Sequence, residues 1–133
     1  MVFMIDVIQR IAELQLSYTS TNTLEMQERG RLIRKSLPQA LCYYMESFSV
    51  AIGRFSTDLD IQGKDGQGAK TAAPWVRLFS KSLSPSARAG FYVVLHFSID
   101  GQRCYVTFGC AATTWENGYF VNIPEDELDK KVL

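Results

Sequence analysis

The stretch Phe91–Cys110 (FYVVLHFSIDGQRCYVTFGC) limits the possible folds most sharply. Two alternating runs flank Asp100-Gly101, the dipeptide that most strongly signals a hairpin. If those two residues form the turn, Ile99 lies opposite Gln102 and period-two geometry fixes every pair beyond it. Phe97 then faces Cys104, Leu95 faces Val106, Val93 faces Phe108 and Phe91 faces Cys110. All four pairs are apolar, so this face is predicted to be core. The opposite face pairs His96 with Tyr105, Val94 with Thr107 and Tyr92 with Gly109. It is aromatic and polar, with a glycine where a partner can come close. Such a face is either wetted or covered, or it carries a site.

The rest of the chain supplies helices for the apolar face. Residues 3–16 place Met4, Ile8, Ile11 and Leu14 at helical spacing. Asn22 with Glu25 three residues on predicts a second helix start, running through the basic stretch Arg31–Lys35. Ser36-Leu37-Pro38-Gln39 predicts a third, with Leu37, Leu41, Tyr44, Met45 and Phe48 as its stripe. Phe55, Thr57, Leu59 and Ile61 alternate with polar residues, as in a half-buried strand. Asn117-Gly118 predicts a further turn, and Pro124-Glu125 opens a short helix with acids first and Lys130-Lys131 last. The expected fold class is α+β, with N-terminal helices packed on a mostly antiparallel sheet that contains the 91–110 hairpin. The 133 residues suit a single domain, 1–133, here expected to be the N-terminal module of a longer protein.

Composition excludes several functions. No CxxC or Cys/His ligand spacing exists, there is one histidine, and three cysteines leave an odd thiol. Reduced thiols in a cytoplasmic protein are expected, with no metal and no cofactor. The N-terminal run lacks a basic start and is broken by Asp6, so it reads as an amphipathic helix rather than a signal peptide. No stretch is long enough to span a bilayer. Residues 50–110 carry seven basic against four acidic side chains, whereas residues 111–133 carry two against five. A mildly basic middle permits an anionic partner with few phosphate contacts and a shallow salt dependence.

Chemical motifs are sparse. Gly63 and Gly68 followed by Lys70-Thr71 approach a phosphate-binding loop. However, Ala69 puts the lysine out of register, and Pro74 falls where the helix should continue. A flexible glycine loop that lets backbone approach a partner is expected instead. Asp58 and Asp60 share a strand face, as a metal or acid–base pair would, but no third ligand or base stands near. There is no Gly-x-Ser-x-Gly and no Ser/His/Asp order, so no catalytic residue is assigned.

Several features in order resemble the McrB-like N-terminal domain family. Leu37-Pro38 opens a helix. Gly66-Gln67-Gly68 forms a Gly-x-Gly loop, and Pro74-Trp75 follows. A Ser/Ala-rich link leads to Gly90-Phe91-Tyr92-Val93-Val94 and then the Tyr105–Gly109 strand. The resemblance covers about residues 30–115, and Pro-Trp followed by the Gly-aromatic-Tyr strand is its most specific part. It implies a non-catalytic DNA-reading module of a modification-dependent restriction or phage-defence system, joined to a nuclease or NTP-driven motor. The best-known member flips a methylated cytosine out of double-stranded DNA into a pocket. Trp75 is similar in position to a pocket tryptophan, and Tyr92 to an aromatic that enters the DNA. Gln67 stands where that member has a pocket tyrosine, and His96 where it has an aliphatic residue. The resemblance thus implies a base pocket of Trp75, Gln67, His96 and Tyr105, with Tyr92 intercalating. Lys64, Lys70, Arg77 and Arg88 are the expected phosphate contacts. A polar pocket of this kind suits hydroxymethylated or glucosylated bases, adenine or another lesion. The competing expectation is an interaction or assembly module that kept the fold without the pocket. A small hydrolase using Asp58 and Asp60 is a third.

Overall fold

A computed structural model describes residues 3–47 and 58–132. Three N-terminal helical segments lie on a four-stranded antiparallel sheet, an α+β arrangement. The helices are α1 (Met4–Gln15), α2 (Leu24–Arg31) and α3 (Leu37–Ser47). The strands are β1 (Leu59–Gln67), β2 (Ala69–Ser80), β3 (Phe91–Phe97) and β4 (Cys104–Cys110), in the order β1-β2-β3-β4. A separate hairpin, β5 (Thr113–Glu116) and β6 (Tyr119–Asn122), and a last helix, α4 (Glu125–Val132), follow.

The helical layer differs from expectation at two joints. Thr23, not Asn22, caps α2, its hydroxyl accepting from the Met26 amide at 3.3 Å. The predicted break at Ser36 is absent. Leu32–Ser36 is instead a π-helical turn that runs directly into α3. Pro38 brings no N–H to the turn before it, and widening that turn keeps the helix continuous where a straight α-helix would lose a bond. Phe48, Phe55 and Thr57 of the expected stripe and strand lie outside the described residues.

Val7, Ile11, Ile33, Leu37, Val76, Leu95 and Phe97 form the buried core between helices and sheet. The hairpin has the register read from sequence, from Phe97↔Cys104 to Phe91↔Cys110. Its turn is longer than two residues. Ser98 N–H donates to Arg103 O, Gly101 N–H donates to Ser98 O, and Asp100 Oδ1 accepts from the Ser98 hydroxyl and the Gln102 amide. The apolar face is core at one end only. Leu95 and Phe97 are buried, whereas Val106 and Phe108 are 69% and 73% exposed. β4 is an edge strand beyond the helices' cover, and Phe91 and Phe108 stack on each other instead, 5.7 Å between centroids.

The glycine stretch is not a flexible loop. It is the middle of a long β1–β2 hairpin, whose register shifts between Lys64 and Gly66. Gly63 lies in β1 where a Cβ would come within 1.8 Å of the Ile33 carbonyl oxygen. The close backbone approach thus serves the helical layer rather than a ligand. The register shift leaves Thr71–Pro74 without ladder partners on β1, so Pro74 removes no bond. Side chains of α1, α2 and the link between them bond carbonyls in and next to this stretch. Arg29 donates to Thr71 O at 2.7 Å, Gln15 donates to Ala72 O at 2.9 Å, and Tyr18 donates to Lys70 O at 3.0 Å.

Candidate nucleic-acid interface

On the sheet face away from the helices, ladder pairing sorts the side chains into rows across the strands. Lys64, Trp75, His96 and Tyr105 form one row. Gln62, Arg77, Val94 and Thr107 form the next, and Asp60, Phe79, Tyr92 and Gly109 the third. Side chains in one row stand about 5 Å apart at Cβ, so each can touch its neighbour. Two expected base-pocket residues, His96 and Tyr105, therefore share a row with Trp75 and Lys64.

The segment 81–90 crosses over this face and turns part of it into hollows. It is pinned at three places. Asp58 accepts hydrogen bonds from Ser80 and from the Ser82 amide and hydroxyl. The Arg77 guanidinium donates to Ser84 O at 3.1 Å and to Ser84 Oγ at 3.0 Å. The Tyr92 hydroxyl donates to Ala87 O at 3.0 Å. Gly90 ends the crossing at φ 70°, where an added Cβ would lie 2.4 Å from Leu83 O.

Two hollows remain beneath and beside that segment, and they share Trp75 and Ala87. The larger is about 340 Å³, lined by Gln62, Lys64, Trp75 and residues 85–88. The smaller is about 110 Å³, lined by Trp75, Ala87, Tyr92, Val94 and His96. Ligand pockets usually start at about 300 Å³, so the larger hollow alone reaches that size. Trp75 is half-buried between them. A wider groove of about 640 Å³ lies on the helical side of the sheet. Apart from Tyr44 and Cys104, its walls, which include Met4, Leu41, Ile61 and Val93, are wholly apolar. It offers little with which to read a base edge.

The expected site residues divide. Trp75, His96, Tyr92, Lys64 and Arg88 line the hollows. Tyr105 is 45% exposed beside them, its hydroxyl 3.4 Å from the Arg103 guanidinium. For Tyr92 to enter a duplex, its hydroxyl would have to leave Ala87. Gln67 lies past the register shift at the hairpin tip. There it accepts a hydrogen bond from Lys64 Nζ at 3.2 Å and lines neither hollow.

Two expected phosphate contacts, Lys70 and Arg77, have partners within the fold. Lys70 pairs with Asp65 at 2.8 Å on the helical side, beside Arg34, which also pairs with Asp65. Burial alone would raise the Asp65 carboxyl, but hydrogen bonds from Lys70 and Arg34 outweigh it and hold the group below the usual carboxylate range. Arg77 is buried to 1% exposure. Its guanidinium packs 3.6 Å over the Phe79 ring and 5.5 Å from that of Tyr92. Burial pulls its pKa down from the ordinary value, and its Nε and Nη1 donate to Gln62 and Ser84. At 1% exposure it braces the site from below.

Sequence reasoning missed Gln62, the amide that does line the larger hollow. Asp58 is a turn residue, and Asp60 Oδ1 accepts from the Ile61 amide. Among the described residues, no group of three or more His, Cys, Asp or Glu side chains could hold a metal. No helix among them is long and apolar enough to cross a membrane.

The family model described as MrcB-like, N-terminal domain, matches residues 12–133. The chain belongs to that family. Membership marks it as a DNA-binding module of restriction systems, a type of domain that binds rather than catalyses. No curated protein and no solved structure matches it.

Proposed function

We propose that this MrcB-like domain reads a modified base, which it extrudes from double-stranded DNA into the larger hollow beside Trp75. The observation that carries the reading is that hollow of about 340 Å³, walled by an indole, an amide and two cationic side chains. Extruding a base costs a few kcal/mol of lost stacking and pairing. An aromatic wall returns about 1–3 kcal/mol per stacked base. In this reading Trp75 supplies the stacking surface, and His96 and Tyr105 continue it along the same row. Lys64 and Arg88, at the larger hollow, meet the phosphates flanking the extruded nucleotide. Any nuclease or NTP-hydrolysing step belongs to a fused or associated domain that this module directs to modified DNA.

Gel shifts with matched duplexes test the reading. One set carries a modified cytosine or adenine and the other is plain. At least one modified duplex is expected to bind about tenfold or more tightly than the plain one. Two phosphate contacts predict that log K falls against log salt with a slope of about −2. Equal binding to all duplexes would instead favour an assembly module. The exposed Val106 and Phe108 on β4 support that second reading.

A further inference from the structure

We infer that Gln62 is the specificity-determining residue of the larger hollow, acting as a donor only. The hollow accordingly selects a base whose substituent turns an acceptor oxygen towards β1. This rests on the base-reading function proposed above.

A glutamine side chain ordinarily offers both an acceptor and two donors, and either end can face a ligand. Here the choice is made by Arg77. Its Nε donates to Gln62 Oε1 at 2.9 Å. A guanidinium has no acceptor, so the amide oxygen must face it and the NH2 must turn elsewhere. Arg77 itself cannot swing away. It is buried to 1% exposure, clamped by Ser84 and packed on Phe79. Gln62 also lines the hollow, and with its oxygen turned to Arg77 the end left for a ligand is the NH2 group.

The other polar side chains of the wall point the same way. Lys64 and Arg88 carry donors and no acceptor, and the Ser86 hydroxyl can do either. A carboxylate is absent from the described lining. A plain methyl group brings no acceptor to such a wall. A hydroxymethyl, glucosyl or carboxyl substituent brings the acceptor oxygens that the wall requires. These share one chemistry, an oxygen-bearing group on the base, and the test separates them.

The experiment measures the affinity of the domain for four duplexes with a single central 5-methyl-, 5-hydroxymethyl-, 5-carboxyl- or glucosylated hydroxymethylcytosine, with a plain duplex as reference. At least one oxygen-bearing duplex is expected to bind about tenfold more tightly than the methylated one. Gln62→Glu provides the second arm. The carboxylate keeps an acceptor for Arg77 Nε, so the brace and the fold are retained, but the NH2 donors are gone. The ratio of oxygen-bearing to methylated affinity is expected to fall about tenfold in this variant. The methylated duplex binding as tightly as every oxygen-bearing one overturns the inference and leaves base reading intact. An unchanged ratio in folded Gln62→Glu also overturns it. Five equal affinities overturn base reading itself, and this inference with it.

Discussion

Trp75→Ala is expected to weaken binding to the preferred modified duplex by about tenfold while leaving the fold intact. The indole sits between two hollows and at the centre of a row with Lys64, His96 and Tyr105. Stacking of one base on an aromatic ring contributes about 1–3 kcal/mol, which is roughly 5- to 150-fold in affinity. The cost to stability is small because Trp75 is only half-buried and belongs to no part of the core cluster. The effect should also be selective, with plain duplex losing much less than modified duplex. Fluorescence anisotropy titrations of both duplexes, alongside thermal unfolding, check the three statements together. A folded variant that binds modified DNA as tightly as the parent removes Trp75 from the site.

Arg29→Ala is expected to give the largest loss of stability, on the order of 3 kcal/mol, or a melting point lower by roughly 10 °C. Arg29 is fully buried, a rare condition for a charged side chain. Burial pulls its pKa down from the ordinary value, against the pull of Asp65 and Tyr18. Its guanidinium lies 5.6 Å from the Tyr18 ring centroid, and it donates to Gln15 Oε1 and Thr71 O, each at 2.7 Å. Gln15 in turn holds Ala72 O and Ser98 O. One side chain thus ties α2 to α1, to the unpaired stretch of β2 and to the 98–103 turn. Alanine strands a buried amide oxygen and a carbonyl together. Urea unfolding measures the change, and a loss below about 1 kcal/mol would mean that water takes over those bonds at little cost.

That network also explains which parts of the molecule could be read from the chain alone. The 91–110 register was legible because strict alternation around Asp100-Gly101 allows one pairing that keeps an apolar face together. α1 and α4 were legible from helical spacing and terminal charge. The β1–β2 hairpin was not. Gly63, Gly66, Gly68 and Pro74 carry the composition of a loop, yet Gly63 serves helix packing and Pro74 lies where the ladder is already interrupted. Arg77 and Lys70 looked like surface cations because charged residues are seldom buried. Only the fold reveals Ser84 and Asp65 waiting for them. Gln62 was hidden for a related reason. It was read as one polar position of an alternating strand, with no hint of what stood across from it. Reading residues 59–80 as a hairpin about Gly66-Gln67-Gly68, with a bulge at the proline, would have set Gln62 beside Arg77 and Lys64 beside Trp75. The uncovered end of β4 was illegible, because alternation identifies an apolar face but not how far a helix reaches across it.

The most direct measurement is the fluorescence of 2-aminopurine placed next to the modified base in a duplex. Stacking quenches this probe, and removing its neighbour from the helix releases it. Saturating the duplex with the domain should raise the emission several-fold, and Trp75→Ala should abolish most of the rise. Tight, modification-dependent binding with unchanged emission would contradict the extrusion of a base into the hollow beside Trp75.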